Sequence, residues 1–380
     1  MCDPLESNEV LSNFLRAFRR FRGVVCLLLA TFNCRAAALT DVKTVFVIVM
    51  ENHSWDVIKG DPYCPYINGS LLPIASYATQ YFSPAGVHPS EANYIWMEAG
   101  TNFGIYDDAV HQINSTNHLT TLLDRAGISW RSYQESMDAD IFPVTNHYPF
   151  VIRHCPQLLF SDVSSNAPYC LQHVRPYDEL AADLESDRAA RYNFITPNLT
   201  NDMHDFAPGF TTARGGGDYW LSHEVPKILN SNAYKDNGAL FITWDEGTDF
   251  IDGPMGMIVI SPLGKGGGYS NAIRYTHSST LRTMQTIFQV QPFLGDAAKV
   301  EDLGDLFELF SLDAAISSEP LKLKLTINGV RPGQKVAIDS SPDLSEWIAW
   351  TTNTATSNSI VLAADLPNGV PRFFRASIQP

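Results

Sequence analysis

Thr44–Met50 reads TVFVIVM, an unbroken apolar and β-branched run. That is the pattern of a strand covered on both faces. It stops abruptly at Glu51, Asn52 and His53. Leu240–Thr243 (LFIT) is a second such run, and WDEG follows it at once with Asp245 and Glu246. Between and beyond these runs, apolar spacing predicts strands at Ser129–Tyr133, Tyr192–Thr196 and Met257–Ile260. It predicts helices at Leu119–Arg125, Tyr177–Arg191, Tyr219–Asn230 and Ser278–Phe288. Pro89 is uncomfortable inside a helix, so Ser90 and the helix-compatible residues after it mark a helix start. Strands alternating with helices over Val45–Phe310 predict a doubly wound α/β sheet. Past about Ser318 the texture changes to short alternating segments (LKLKLTING, KVAIDSS, WIAWTTN, SIVLAAD, RFFRAS), the mark of a small antiparallel β-module. The expected layout is residues 1–38 as a leader, 39–317 as the α/β domain and 318–380 as the β-module.

The leader is read from Arg16, Arg19, Arg20 and Arg22, the apolar run Val24–Phe32, and the small-residue pattern CRAAA at Cys34–Ala38. Together they predict an export signal cleaved near Ala38. The apolar run is too short for a lasting membrane anchor, so a secreted or periplasmic protein is expected. In that compartment Cys155 and Cys170, bracketing a short loop, are the natural pair, with Cys64 left over.

A formal net charge of −15 argues against a basic nucleic-acid groove. An acidic protein with an anionic substrate needs local positive charge, and a bound metal supplies it most simply. In an open parallel sheet, ligands bind beyond the carboxyl ends of the strands. One strand ending in a carboxylate is unremarkable, but two that end in oxygen ligands point to a shared site. The candidate clusters are Glu51/Asn52, Ser90/Asn93, Asp202/His204 and Asp245/Glu246, with His277 as a fifth element. Carboxylate, amide and imidazole donors suit Zn, Mn, Mg or Ca without choosing among them.

Ser90 is the candidate nucleophile. A helix N-terminus offers backbone donors and a positive dipole to a phosphate, and a base or metal would activate the hydroxyl. The plainer reading of Ser90 is a helix cap. Asn93, one turn on, faces the same side and could hold a phosphoryl oxygen. His88 and His53 lie beside the candidate elements as phosphate contacts. Arg214 is a further phosphate candidate, although its setting, TARGGGD, reads as a Gly-rich surface loop. His111, His118, His147, His154, His173 and His223 show no ligand spacing.

The motifs MENHSWD, HPSEANY, PNLTNDMHD, TWDEG and YTHSSTLRTMQ, in that order over Val45–Phe288, resemble the bacterial and fungal phosphoesterase family. That family holds acid phosphatases and phospholipases C of the alkaline phosphatase superfamily. The resemblance implies an alkaline-phosphatase-like α/β/α sandwich, here followed by the small all-β module. It implies a divalent metal held by Glu51, Asn52, Asp245 and Glu246 that also binds Ser90. It implies that Asp202, His204 and His277 ring the phosphate or hold a second metal, and that Asn93 binds the phosphoryl group. Relatives carry Asp or His where this chain has Glu246, which leaves the metal identity open.

The expected function is a secreted, metal-dependent phosphatase, acid phosphatase-like, cleaving phosphate monoesters through a phosphoserine intermediate. The expected partner is a small phosphorylated substrate, with no nucleic acid and no stable membrane anchor. A surface or polysaccharide contact is expected of the C-terminal module. The rival chemistry is a phospholipase C-type phosphodiesterase, which needs a lipid-accessible mouth. The rival class is a non-catalytic binding protein in which the large domain is scaffold.

Overall fold

The computed structural model describes residues 37–139, 142, 144–248, 253–307, 311–318, 321–330, 333, 335–341, 346–357, 359–365 and 373–378. The leader expected at residues 1–38 lies outside them except for Ala37 and Ala38. No helix among the described residues is long and apolar enough to cross a membrane. The chain forms two compact units.

The larger unit is built on an eight-stranded sheet in the order β5-β4-β6-β1-β7-β8-β2-β9. Its strands are β1 (Thr44–Met50), β2 (Ser76–Ala78), β4 (Trp130–Gln134), β5 (Val174–Pro176), β6 (Tyr192–Thr196), β7 (Gly238–Trp244), β8 (Met257–Ile260) and β9 (Tyr269–Asn271). The pair β3 (Tyr81–Phe82) and β10 (Tyr275–Thr276) stands apart as a short ribbon. At the centre β1 runs parallel to both β6 and β7. Val45–Met50 are at most 2% exposed, as a strand covered on both faces must be. The helices of at least seven residues are α1 (Ser90–Ala99), α2 (Leu119–Arg125), α3 (Ala167–His173), α4 (Glu179–Glu185), α5 (Ala213–Asn230) and α6 (His277–Phe288). The first two pack with α6, and α4 packs with α5 as a separate set. The architecture is α/β, as expected.

The sheet is mixed rather than wholly parallel: β8 runs antiparallel to β7, and β2 antiparallel to β8. The stretch TARGGGD is also not a surface loop. Thr212 accepts a hydrogen bond from the Gly215 N–H at 3.0 Å and starts α5, six residues before the expected Tyr219. The glycines are there for closeness. A Cβ on Gly216 would lie 2.6 Å from the Ala207 Cβ, and one on Gly217 3.0 Å from the Asn201 carbonyl. Helix α5 thus presses on the loop that follows β6.

Cys155 and Cys170, expected as a disulfide, are free buried thiols, as is Cys64. The Cys155 Sγ lies 3.5 Å from the Ser132 Oγ instead. Burial pushes the Cys155 thiol up to about 12 and Cys170 to about 11, which leaves both unreactive.

The smaller unit carries two three-stranded sheets, in the orders β11-β12-β15 and β14-β13-β16. They comprise β11 (Ser311–Ser318), β12 (Leu321–Asn328), β13 (Lys335–Ser341), β14 (Ile348–Thr354), β15 (Ser359–Asp365) and β16 (Phe373–Ile378). Strand β11 was not legible in SLDAAISS, and it puts the start of the β-rich segment before the expected residue 318.

Candidate active site

Three adjacent strands deliver the site. Register pairs Met50 with Trp244, so Glu51 and Asp245 leave β1 and β7 at the same level. The Asp245 N–H donates to the Met50 carbonyl at 2.9 Å, and the Glu51 N–H donates to the Asp202 carbonyl at 2.7 Å. The carboxyl ends of β6, β1 and β7 are thereby stitched together around Asp202, Glu51 and Asp245. Asn52 and Met203 hold left-handed backbone, with φ of 48° and 83°. Such strain in non-glycine residues persists where surrounding contacts over-determine it.

Ser90 is the first residue of α1, and Pro89 takes the cap position without a side-chain cap. The hydroxyl is not used as a cap. It donates to the Glu51 Oε2 at 3.1 Å. Asp245 also interacts with Ser90 and Glu51, and its Oδ1 accepts the Asn52 N–H at 3.0 Å. The helix start and the two strand ends meet at one point.

His154, which showed no ligand spacing in the sequence, sits inside this cluster. Its Nε2 is 3.3 Å from the Glu51 Oε1 and its Nδ1 is 3.5 Å from the Asp202 Oδ2. Neither approach has hydrogen-bond geometry. One donor atom each from Glu51, His154 and Asp202 lie within 4.8 Å of one another, all three residues being buried. The Tyr94 ring stacks on His154 at 4.8 Å between centroids and 11° between planes. His154 comes from the 3-10 turn Ile152–His154, far from the strand ends in sequence. No local signal could have marked it.

The other expected residues fall into place differently. Asn93 is fully buried, and its amide group donates to the Val87 carbonyl at 2.9 Å and the Glu246 Oε2 at 3.2 Å. The hydrogens assigned to a phosphoryl oxygen are thus committed to protein. His88 Nδ1 donates to the same Glu246 oxygen at 2.6 Å. Burial lowers His277 to about 4, so its ring is neutral. It donates from Nε2 to the Asp245 carbonyl and accepts the Tyr81 hydroxyl at Nδ1, 3.0 Å away. With both nitrogens used, His277 pegs the backbone of Asp245 and has none left for a phosphate. His204 gives its N–H to the Asp202 Oδ1 at 2.8 Å and turns its ring to Asp205 at 2.7 Å. No contact joins it to Ser90 among the described residues. His53 donates from Nδ1 to the Glu51 carbonyl at 2.8 Å. Arg214 pairs with Asp61 at 2.5 Å.

The electrostatics favour a cation. Burial, then the charges of Asp245 and Asp202, hold the Glu51 carboxyl well above the usual range. Burial likewise holds Asp202 far up and pushes Asp245 to about 6, while His154 is driven well down. Buried carboxylates facing one another cannot all ionise unaided. The Glu51 Oε1, Asn52 Oδ1, Asp202 Oδ2, Asp245 Oδ2 and both His154 nitrogens are buried without hydrogen-bond partners. Such atoms call for a missing partner. This donor set fits a divalent cation, which would reverse the pKa logic. Glu51, Asp245 and Asn52 would hold it beside Ser90, and Glu51, His154 and Asp202 form a second group of donors.

The model of the Phosphoesterase family matches residues 75–291, more than half of the chain. Ser90, His154, Asp202 and Asp245 lie within the match, while Glu51 and Asn52 precede it. A probable acid phosphatase of Kluyveromyces lactis is 29% identical over 212 residues, covering 54% of this chain and 47% of that protein. An acid phosphatase of Aspergillus niger is 29% identical over 206 residues, or 52% of this chain and 46% of the relative. The chain therefore spans about half the length of these fungal relatives. A phosphatidylinositol-3-phosphatase of Mycobacterium tuberculosis is 27% identical over 274 residues, covering 72% of this chain and 85% of its own. Among solved structures, a protein of the alkaline phosphatase superfamily from Vibrio parahaemolyticus superposes with a TM-score of 0.48 at 10% identity, over 84% of this chain and 85% of the other.

Proposed function

We propose that this chain, which belongs to the phosphoesterase family, is an exported metal-dependent phosphatase that hydrolyses phosphate monoesters through Ser90. The observation that carries the reading is the bonding of the Ser90 hydroxyl. It stands at the start of a buried helix, is not spent on capping, and donates to Glu51 beside partnerless carboxylate oxygens.

The steps follow from those residues. Ser90 Oγ, held by Glu51 and backed by the positive end of α1, attacks phosphorus in line. The Oγ–P bond forms as the bond from phosphorus to the ester oxygen breaks, the Oγ proton passes to the Glu51 carboxylate that accepts it, and the leaving alcohol takes a proton from water. Water then attacks the phosphoseryl group, the Oγ–P bond breaks, and phosphate departs with the hydroxyl restored. A divalent cation, when bound by this donor set, supplies Lewis-acid stabilisation of the serine oxygen and of charge on the phosphoryl group. His277 keeps Asp245 aimed, and Asn93 with His88 keeps Glu246 aimed.

Two acid phosphatases and a phosphatidylinositol-3-phosphatase among the relatives support a phosphatase over a phospholipase. The mycobacterial relative's name adds a lipid headgroup phosphate to the substrates worth testing. Export rests on the Arg-rich, apolar and small-residue order of residues 1–38.

Turnover of p-nitrophenyl phosphate by wild type and Ser90→Ala tests the nucleophile. The expected result is a loss of at least ~10³-fold in kcat with an unchanged melting temperature. A variant within tenfold of wild type removes Ser90 from that role. Hydrolysis of phosphatidylcholine in preference to the monoester would shift the reading to the diesterase.

A further inference from the structure

Among the described residues, Arg153 is a cation beside the site whose Nε lacks a hydrogen-bond acceptor. It immediately precedes His154 in the turn Ile152–His154. Its Nε is buried and has no hydrogen-bond partner among the described residues. The facing carboxylate is Asp108, with Oδ2 3.8 Å from that Nε, too far for a hydrogen bond. Asp108 is already engaged, since its Oδ1 accepts the Glu91 N–H at 3.1 Å. Glu91 directly follows Ser90.

Two links tie Arg153 to the site, one to its backbone and one to its guanidinium. One is the chain itself, through His154 and its neighbour Glu51. The other is Asp108, through the first turn of α1. The side chain is 20% exposed, so the group is not sealed in. By contrast, Arg131, Arg175 and Arg214 each donate to a carboxylate. A guanidinium carries five N–H donors in a fixed fork that matches phosphate. Leaving the buried Nε hydrogen without an acceptor is costly, and such a donor is expected to await one.

We propose that Arg153 is a substrate-binding residue that donates to the phosphoryl oxygens of the ester presented to Ser90. The inference rests on Ser90 being the point of phosphoryl transfer. The need for it is electrostatic. Glu51, Asp202, Asp245 and Glu246 crowd one end of the sheet in a chain of net charge −15. An arriving phosphate meets that field, and a charge-assisted fork offsets it while fixing orientation.

The experiment titrates inorganic phosphate into metal-loaded wild type, Arg153→Ala and Arg153→Lys by calorimetry, with p-nitrophenyl phosphate kinetics alongside. The expected result is that Arg153→Ala weakens phosphate binding and raises KM at least ~10-fold while kcat changes less. Arg153→Lys should recover only part of the loss, because an ammonium lacks the fork. If Arg153→Ala does not fold, Arg153→Gln replaces it. A purely structural role would lower the melting temperature and leave phosphate affinity within twofold of wild type, and that overturns the proposal. Wild type that fails to bind phosphate overturns it as well. Wild type that binds phosphate through Arg153 but does not turn over the ester refutes the phosphatase reading and leaves Arg153 standing.

Discussion

Gly217→Ala isolates how a helix far from the chemistry in sequence holds one wall of the site. Gly217 lies in α5, where alanine alone would stabilise by up to ~1 kcal/mol. The added Cβ, however, would fall well inside contact with the Met203 Cγ and 3.0 Å from the Asn201 carbonyl oxygen. Both neighbours belong to the loop that carries Asp202, and Met203 is already at φ 83°. Overpacking of this kind costs about 1–3 kcal/mol. Backbone as well as side chain must yield, so the upper part of that range applies, and the net loss is about 1–2 kcal/mol. In a unit of this size that lowers the melting temperature by about 2–8 °C. The loop can relax only by moving Asp202, whose carbonyl accepts the Glu51 N–H at 2.7 Å. Displacements near 1 Å at a catalytic site cost up to ~10²-fold, so kcat/KM should fall at least ~10-fold. Thermal unfolding and p-nitrophenyl phosphate kinetics read the two effects. Gly69→Ala, with no atom within 4 Å of the new Cβ, is the control and should be neutral or slightly stabilising. Gly217→Ala with a melting temperature at or above wild type and unchanged kcat/KM would refute the argument.

His154→Ala should lose divalent metal, with affinity weakened at least ~10-fold, the scale produced even by residues that only support a ligand. Metal analysis of purified protein reads this, and wild-type content in the variant would exclude His154 as a donor. A chelator should lower the melting temperature of wild type by removing a ligand that binds only the folded chain; an unshifted transition speaks against a resident metal. Elsewhere, buried His118 lies between Glu98 and Asp162. Burial by itself would lower its pKa, but hydrogen bonds to Asp162 and Glu98 raise it to about 9. A folded-state value above the unfolded ~6.5 stabilises fully below pH ~6.5, by about 3 kcal/mol. That contribution fades as pH rises through about 9. Denaturant titrations of wild type and His118→Gln across pH 6–10 should converge at the alkaline end, and a constant gap between them would contradict the assignment.

The α/β core was legible because its strands are covered on both faces and so appear as pure apolar runs. TVFVIVM, YNFIT, LFIT and MIVI all emerged within a few residues of their observed bounds. The order in which they pair was less so. Nothing local distinguishes a strand that returns antiparallel, as β8 does, from one that crosses over. The glycines of α5 were misread for a related reason. Glycine marks both a turn and a close approach, and only the neighbours Ala207 and Met203 tell which.

What the sequence by itself determined is where the polar groups leave the core. Glu51, Asp202 and Asp245 each stand after a buried strand, and Ser90 stands at a helix start, because chain direction and apolar pattern dictate those ends. Which of them touch was decided by tertiary structure alone. His154 enters from a 3-10 turn with no periodicity, while His277 and Asn93, of the right chemical type, are consumed by the Asp245 carbonyl, Val87 and Glu246. The physical reason is that a side chain's chemistry is set by its residue type, but its free valence is set by what packs beside it.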